Sequence, residues 1–67
     1  MNQKQVRIAL IERGERLVDL HRATGIPYSR LMRIINGYGV ARPQELRSIA
    51  AALHLPIESI ESSAYGR

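Results

Sequence analysis

The chain has 67 residues, a formal net charge of +4 and no cysteine. A length like this holds one domain and buries only about 60% of the unfolded surface, and without thiols it has neither disulfides nor thiolate metal sites. Phe and Trp are absent, so Leu, Ile, Val and Ala must build the core, which suits small, closely packed helices better than a catalytic pocket.

The opening "MNQKQVR" lacks the apolar run of a signal peptide. No window approaches the ~20 apolar residues of a membrane span, so a cytoplasmic protein is expected. Residues 3–13, "QKQVRIALIER", combine good helix formers with an apolar arc of Val6, Ala9 and Leu10, flanked by Ile8 and Ile11. Gly14 is placed to stop that helix in the left-handed conformation. A second helix is predicted over 17–24, "LVDLHRAT", ending at Gly25, and a third over 28–36, ending at Asn36-Gly37. Pro43 suits the first position of a fourth, where its missing N–H costs nothing. Leu46, Ile49, Ala50 and Leu53 then follow at i, i+3, i+4 and i+7, an amphipathic stripe. Pro56 opens a last short helix with Ile57 and Ile60, and residues 62–67 read as a flexible tail. Nothing alternates with period two for long enough to be a strand. The expectation is an all-α, compact five-helix domain over residues 1–61.

The charge is placed unevenly. After Asp19 no acid occurs until Glu45, and between them stand Arg22, Arg30, Arg33 and Arg42. The basic side chains are nine arginines and Lys4. Arginine's planar fork suits phosphate oxygens and guanine edges, although a basic stretch is also compatible with a merely solvated face.

The third helix lies inside this acid-free window. At about 100° per residue, Leu31, Ile34 and Ile35 share one sector, and Ser29, Arg33 and Asn36 the opposite one. Tyr28, Arg30 and Met32 take the flanks. The helix thus has an apolar back and a polar face centred on an arginine. It follows the second helix across a tight turn at Gly25, which tolerates positive φ, and the pair forms a helix-turn-helix unit.

Leu20, Gly25, Ile26, Leu31, Ile34 and Asn36-Gly37, followed by Arg42-Pro43, the Leu46/Ile49/Ala50/Leu53 helix and Leu55, stand in an order and spacing that resembles the phage-repressor/Cro-type helix-turn-helix family. The resemblance covers roughly residues 4–60. It implies a five-helix, lambda-repressor-like fold that binds double-stranded DNA as a transcriptional regulator of phage, prophage or plasmid type. Helix 28–36 would enter the major groove, with Tyr28, Ser29 and Arg33 at base-reading positions. Tyr28 would contact a thymine methyl or a phosphate, or instead pack against the neighbouring helix. Asn36, Tyr38 and Arg42 match loop positions that face the DNA backbone in the family, and Arg30, flanking the recognition face, would join them. Arg16 and Arg22 flank the second helix, whose N-terminus normally sits on a phosphate, and Gln44 opens the fourth helix where the family sometimes reaches toward the minor groove; these three complete the candidate backbone contacts.

The resemblance also implies a homodimer, formed in solution or only on DNA, on a palindromic operator. Leu55, Ile57 and Ile60 are then candidates for the dimer interface, with intramolecular core as the other role open to them. Three positions depart from the family pattern: Leu17 at the start of the second helix, His21 where a small residue is usual, and Pro27 in place of a Ser/Thr cap. His21 must tilt outward or force a wider helix crossing. No cofactor, metal or membrane partner is expected. Two histidines without a cysteine make a poor metal set, and no nucleophile–base spacing points to an enzyme. The alternative is an antitoxin or other interaction module that uses the same helical fold to bind a protein.

Overall fold

Helix α1 spans Gln3–Glu12 and turns Val6, Ala9 and Leu10 inward in a computed structural model that describes residues 2–61. Its first turn is capped by Asn2, whose Oδ1 accepts the Gln5 N–H at 3.2 Å. It closes with two bonds, Glu15 N–H to the Leu10 carbonyl and Gly14 N–H to the Ile11 carbonyl, at 2.9 and 3.0 Å. The expected helical range 3–13 is therefore one residue long at its end, with Arg13 serving as the cap.

Helices α2 (Leu17–Thr24) and α3 (Tyr28–Ile35) follow, joined only by residues 25–27. At Gly25 φ is +76°, and its N–H closes α2 on the His21 carbonyl at 2.9 Å. A side chain here would meet no neighbour within 4 Å, so backbone conformation alone calls for glycine. The turn is stapled from both sides. Thr24 Oγ1 donates to the Leu20 carbonyl at 2.8 Å and accepts the Ile26 N–H at 3.2 Å. Ile26 itself is buried, anchoring the connection in the core.

Helix α3 ends one residue before the expected Asn36, which is its cap. Gly37 takes φ +84°, while the Tyr38 and Gly37 N–H groups bond the Arg33 and Ile34 carbonyls at 2.8 and 3.2 Å. Helix α4 (Pro43–Leu53) opens with its proline at the first position, and α5 (Ile57–Glu61) follows immediately after Pro56. At the end of α4 the left-handed residue is His54, φ +57°, the one non-glycine with positive φ among the described residues.

Val6, Leu31, Ile49 and Ile60 are completely buried, so α1, α3, α4 and α5 each send a side chain to the centre. Leu20 adds α2. Burying one such side chain contributes roughly 1.5–3 kcal/mol, which makes these positions the main source of stability in so short a chain. The Asn2 N–H donates to the Ile60 carbonyl and ties the start of α1 to α5. Ile60 was a candidate for a dimer interface, and that expectation is corrected: with no surface exposed, it is core. Leu55 and Ile57 are half-buried against the same cluster. The radius of gyration is 10.6 Å, close to the ~11 Å of a compact globule of this length. The expected five-helix, all-α architecture is what the described residues adopt. No helix among them is long and apolar enough to cross a membrane. The tail expected at 62–67 lies outside the described residues.

Candidate nucleic-acid interface

Leu31, Ile34 and Ile35 are buried beneath α3, and Tyr28, Ser29, Met32, Arg33 and Asn36 are exposed on it. The exposed set recurs at i, i+1, i+4, i+5 and i+8, one continuous stripe along the helix. Its only charged member is Arg33, which has no carboxylate partner among the described residues.

Of the roles open to Tyr28, packing against the neighbouring helix is the one the structure displays. Its ring meets His21 edge-on, with centroids 6.2 Å apart and planes at 83°, yet 42% of the residue stays exposed. His21 is held in turn by a 2.6 Å hydrogen bond from Nδ1, acting as donor, to the Ile26 carbonyl. The histidine that departs from the family pattern therefore lies over the α2–α3 turn and buttresses the tyrosine. Pro27 gives α3 no side-chain cap, as expected.

Arg30, a candidate for the DNA backbone, turns two of its three guanidinium nitrogens to acceptors within the protein. Nε and Nη2 donate to the Glu45 carboxylate at 3.0 and 2.9 Å, and Nη2 also donates to the Val40 carbonyl at 2.9 Å. Glu45 additionally accepts the Arg42 N–H at 2.8 Å, so it caps α4 and clamps α3 at once. The hydrogen bonds from Arg30 hold its carboxyl below the usual range, with the Arg42 N–H and both nearby positive charges acting in the same direction against partial burial. The same bonds raise the Arg30 pKa. These bonds use Nε and Nη2; Nη1 has no acceptor among the described residues, and 30% of the side chain is exposed, so that end of the fork is left to donate outward.

The clamp shapes the connection from α3 to α4. Gly39 lies against α3, and a Cβ added there would sit 3.4 Å from Arg30 Nη1 and 3.7 Å from Arg33 Cβ. With the loop folded back in this way, Tyr38 and Val40 stand out at 79% and 85% exposure. Asn36, at the root of the loop, accepts from Arg7 Nη2 at 2.7 Å through Oδ1, and Arg7 also reaches the Ile35 carbonyl at 3.4 Å. The Asn36 oxygen is thus in use, and its amide N–H groups remain to donate outward.

The other expected backbone contacts are exposed at helix margins. Arg16 and Arg42 occupy the caps of α2 and α4, and each uses its backbone N–H on an acid three residues on, Asp19 or Glu45, at 2.8 Å. Arg22 lies in the last turn of α2, and Gln44 in the first turn of α4. Gln44 borders an open cleft of about 330 Å³ lined also by Thr24, Gly25, Ile26, Pro27, Glu45 and Ser48. Leu17 packs against the core and leaves its helix end without a polar side chain at that position. Among the described residues no three His, Asp or Glu side chains gather where one ion could be shared.

Three residues that matter here are not marked by sequence pattern as site residues. Glu45 had a local signal, since an acid three residues after a helix cap accepts the cap N–H. Arg7 had none, because its partner Asn36 is 29 positions away. Met32, placed on a flank by the helical wheel, is 41% exposed and stands on the outward stripe. Comparison with protein-family models, curated proteins and solved structures returned no match.

Proposed function

We propose that the chain is a sequence-specific double-stranded DNA-binding protein that regulates transcription, with α3 as the helix that enters the major groove. The observation that carries this reading is the outward stripe of α3: a helix whose back is buried, whose front offers Ser29, Arg33 and Asn36, and whose lone charge is an arginine with no carboxylate partner among the described residues. The resemblance to Cro-type helix-turn-helix proteins supports the same assignment. Arg33 would take guanine O6 and N7 through its fork, the commonest specific contact, while Ser29 adds a donor and acceptor. The exposed Arg16, Arg22, Arg42 and Gln44, together with Tyr38 and the Asn36 amide, would set register on the phosphates. No ligand domain is needed: occupancy of an operator itself obstructs or assists polymerase.

One such unit reads few base pairs. A two-fold pair through Leu55 and Ile57 would double the site and require a palindrome with half-sites about one helical turn, ~34 Å, apart. Selection from a random duplex library at ~150 mM salt, where non-specific binding is weak, tests the function. Enrichment of a palindromic consensus with a guanine in each half is the expected result. A pool that stays unenriched, bound only at low salt, overturns it.

A second reading has its own support. Tyr38 and Val40 are the most exposed large apolar side chains among the described residues, and they adjoin the same face. An antitoxin-like or other interaction module would use them, with Met32, against a protein partner. Under that reading the library stays unenriched while Tyr38→Ala and Val40→Ala abolish capture of the partner.

A further inference from the structure

We propose that the outward face of α1 pairs with the same face of a second copy of the chain, antiparallel about a two-fold axis at Ile8. Ile8 and Ile11 stand outside the arc of Val6, Ala9 and Leu10 that enters the core, and they are 39% and 77% exposed. A solvated helix face gains nothing from isoleucine, whose branched Cβ loses rotamer freedom against the preceding turn. Around the two isoleucines stand Lys4, Gln5 and Glu12, all exposed. Lys4, Ile8 and Glu12 follow at i, i+4 and i+8 and share one face, with the cation and the carboxylate each about 6 Å along the axis from the central isoleucine. Neither charge has an ion-pair partner among the described residues, where the salt bridges are Arg13–Glu15 and Arg30–Glu45. The other cation of this helix, Arg7, is turned to Asn36 and the Ile35 carbonyl.

Charge selects the occupant and its direction. Two such helices side by side and parallel would set Lys4 against Lys4 and Glu12 against Glu12. Antiparallel, each Lys4 meets Glu12 of the other copy, and the two-fold axis makes that contact twice. Ile8 then lies on Ile8 at the axis, and the apolar stem of each Lys4 covers Ile11 of the other copy. The face is thus complementary to itself end for end. With two isoleucines a side it is smaller than the ~800 Å² per partner of a stable interface, so the pair is weak. None of these residues is assigned to DNA or to the pair through Leu55 and Ile57. The α1 contact is therefore a second self-contact, made with or without duplex, that joins one unit to the next.

Sedimentation equilibrium of the full chain without DNA, at protein concentrations up to ~1 mM, reads the association that so small a patch supports. The average mass is expected to climb from 7.6 kDa toward twice that value. Ile8→Gln/Ile11→Gln, which changes two exposed positions to a good helix former, should hold the chain at the monomer mass with its circular dichroism unchanged. Lys4→Glu should weaken association about tenfold, because the two-fold axis counts each altered contact twice. The exchange Lys4→Glu/Glu12→Lys keeps the net charge, reverses both ends of the face and should restore association to the wild-type level. A wild-type chain that stays monomeric throughout overturns the proposal, as does association that survives Ile8→Gln/Ile11→Gln or that the charge exchange fails to restore. Association abolished by Ile57→Gln and untouched by the α1 variants would belong to α5 and overturn it equally. The outcome is independent of whether α3 binds DNA.

Discussion

Glu45 is the acid on which the α3–α4 region turns, and removing it should loosen three elements together. Its carboxylate receives Arg30 Nε at 3.0 Å, Arg30 Nη2 at 2.9 Å and the Arg42 N–H at 2.8 Å, with 12% of the side chain exposed. Hydrogen bonds to a charged group contribute about 1.5–3 kcal/mol to stability, and water reaching the partly exposed Arg30 fork offsets part of the loss when the carboxylate is removed. Glu45→Ala is therefore expected to cost about 2 kcal/mol, a fall in Tm of roughly 8–16 °C for a domain this size. Thermal unfolding followed by circular dichroism measures it. Because the two side chains share the Arg30–Glu45 contact, the Arg30→Met/Glu45→Ala double variant should lose less stability than the two single variants summed, the Arg30–Val40 bond being the part that Glu45→Ala alone leaves in place. The pH dependence has a fixed sign. The folded carboxyl titrates below its unfolded value of about 4.3, so its stabilisation is complete above that pH and is lost as pH falls through the depressed folded pKa. The gap between wild type and Glu45→Gln should be flat from neutral pH down to about 5 and close in more acidic solution. A Tm within a degree of wild type, strictly additive single losses, or a gap that widens on acidification would refute the clamp.

Four further outcomes follow from the same structure. Gly25→Ala should destabilise by about 1–2 kcal/mol in urea unfolding, the cost of a left-handed alanine, because the space around it is open; a much larger loss would reveal a clash that the geometry excludes. His54→Gly should stabilise by about 0.5–1 kcal/mol, the relief at φ +57° less the extra entropy of an unfolded glycine, and a loss of stability would show that the imidazole makes a contact worth more. Leu31→Ala, at a fully buried position, should cost about 2–5 kcal/mol and leave much of the population unfolded at 37 °C, visible as collapsed amide dispersion. On DNA, Arg33→Ala should remove preference at one base pair per half-site, at roughly 1–3 kcal/mol, while Arg42→Ala should weaken all sequences evenly and flatten the salt slope by about one unit. Selection profiles and salt titrations separate the two, and an exchange of these phenotypes would reverse the roles given to the arginines.

Much of this molecule is legible locally. The helix arcs, the proline that opens α4 and the glycines that close α1, α2 and α3 are signals within a few residues of one another, so periodicity and turn chemistry locate them. The unmarked features depend on distance in sequence. Arg30 reads as one more cation in an acid-free window, and only its juxtaposition with Glu45, 15 positions on, turns it into a brace. Arg7 meets Asn36 across an interface between α1 and α3 that no local pattern describes. His54 carries a backbone conformation that its neighbours' sequence does not demand, since α4 lacks the terminal glycine of the other helices. Ile60 was ambiguous for a different reason: a five-residue helix has too few turns for its apolar positions to say which side is core. Within the site itself, the buried back of α3 and the exposure of Ser29, Arg33 and Asn36 agree with the wheel, while the availability of each polar group depends on partners folded in from elsewhere.

The central claim, that the outward face of α3 and the loop after it meet DNA, is tested most directly by titrating duplex into isotopically labelled protein and following every backbone amide. The enriched duplex serves if selection yields one, and a mixed-sequence duplex of equal length serves if it does not. The largest shifts are expected at Tyr28, Ser29, Met32 and Arg33, at Asn36 to Arg42, and at the caps Arg16 and Arg42, with the outer face of α1 around Ile8 and Ile11 unmoved. Shifts centred on Ile8 and Ile11, or uniform changes that vanish at ~150 mM salt, would contradict it.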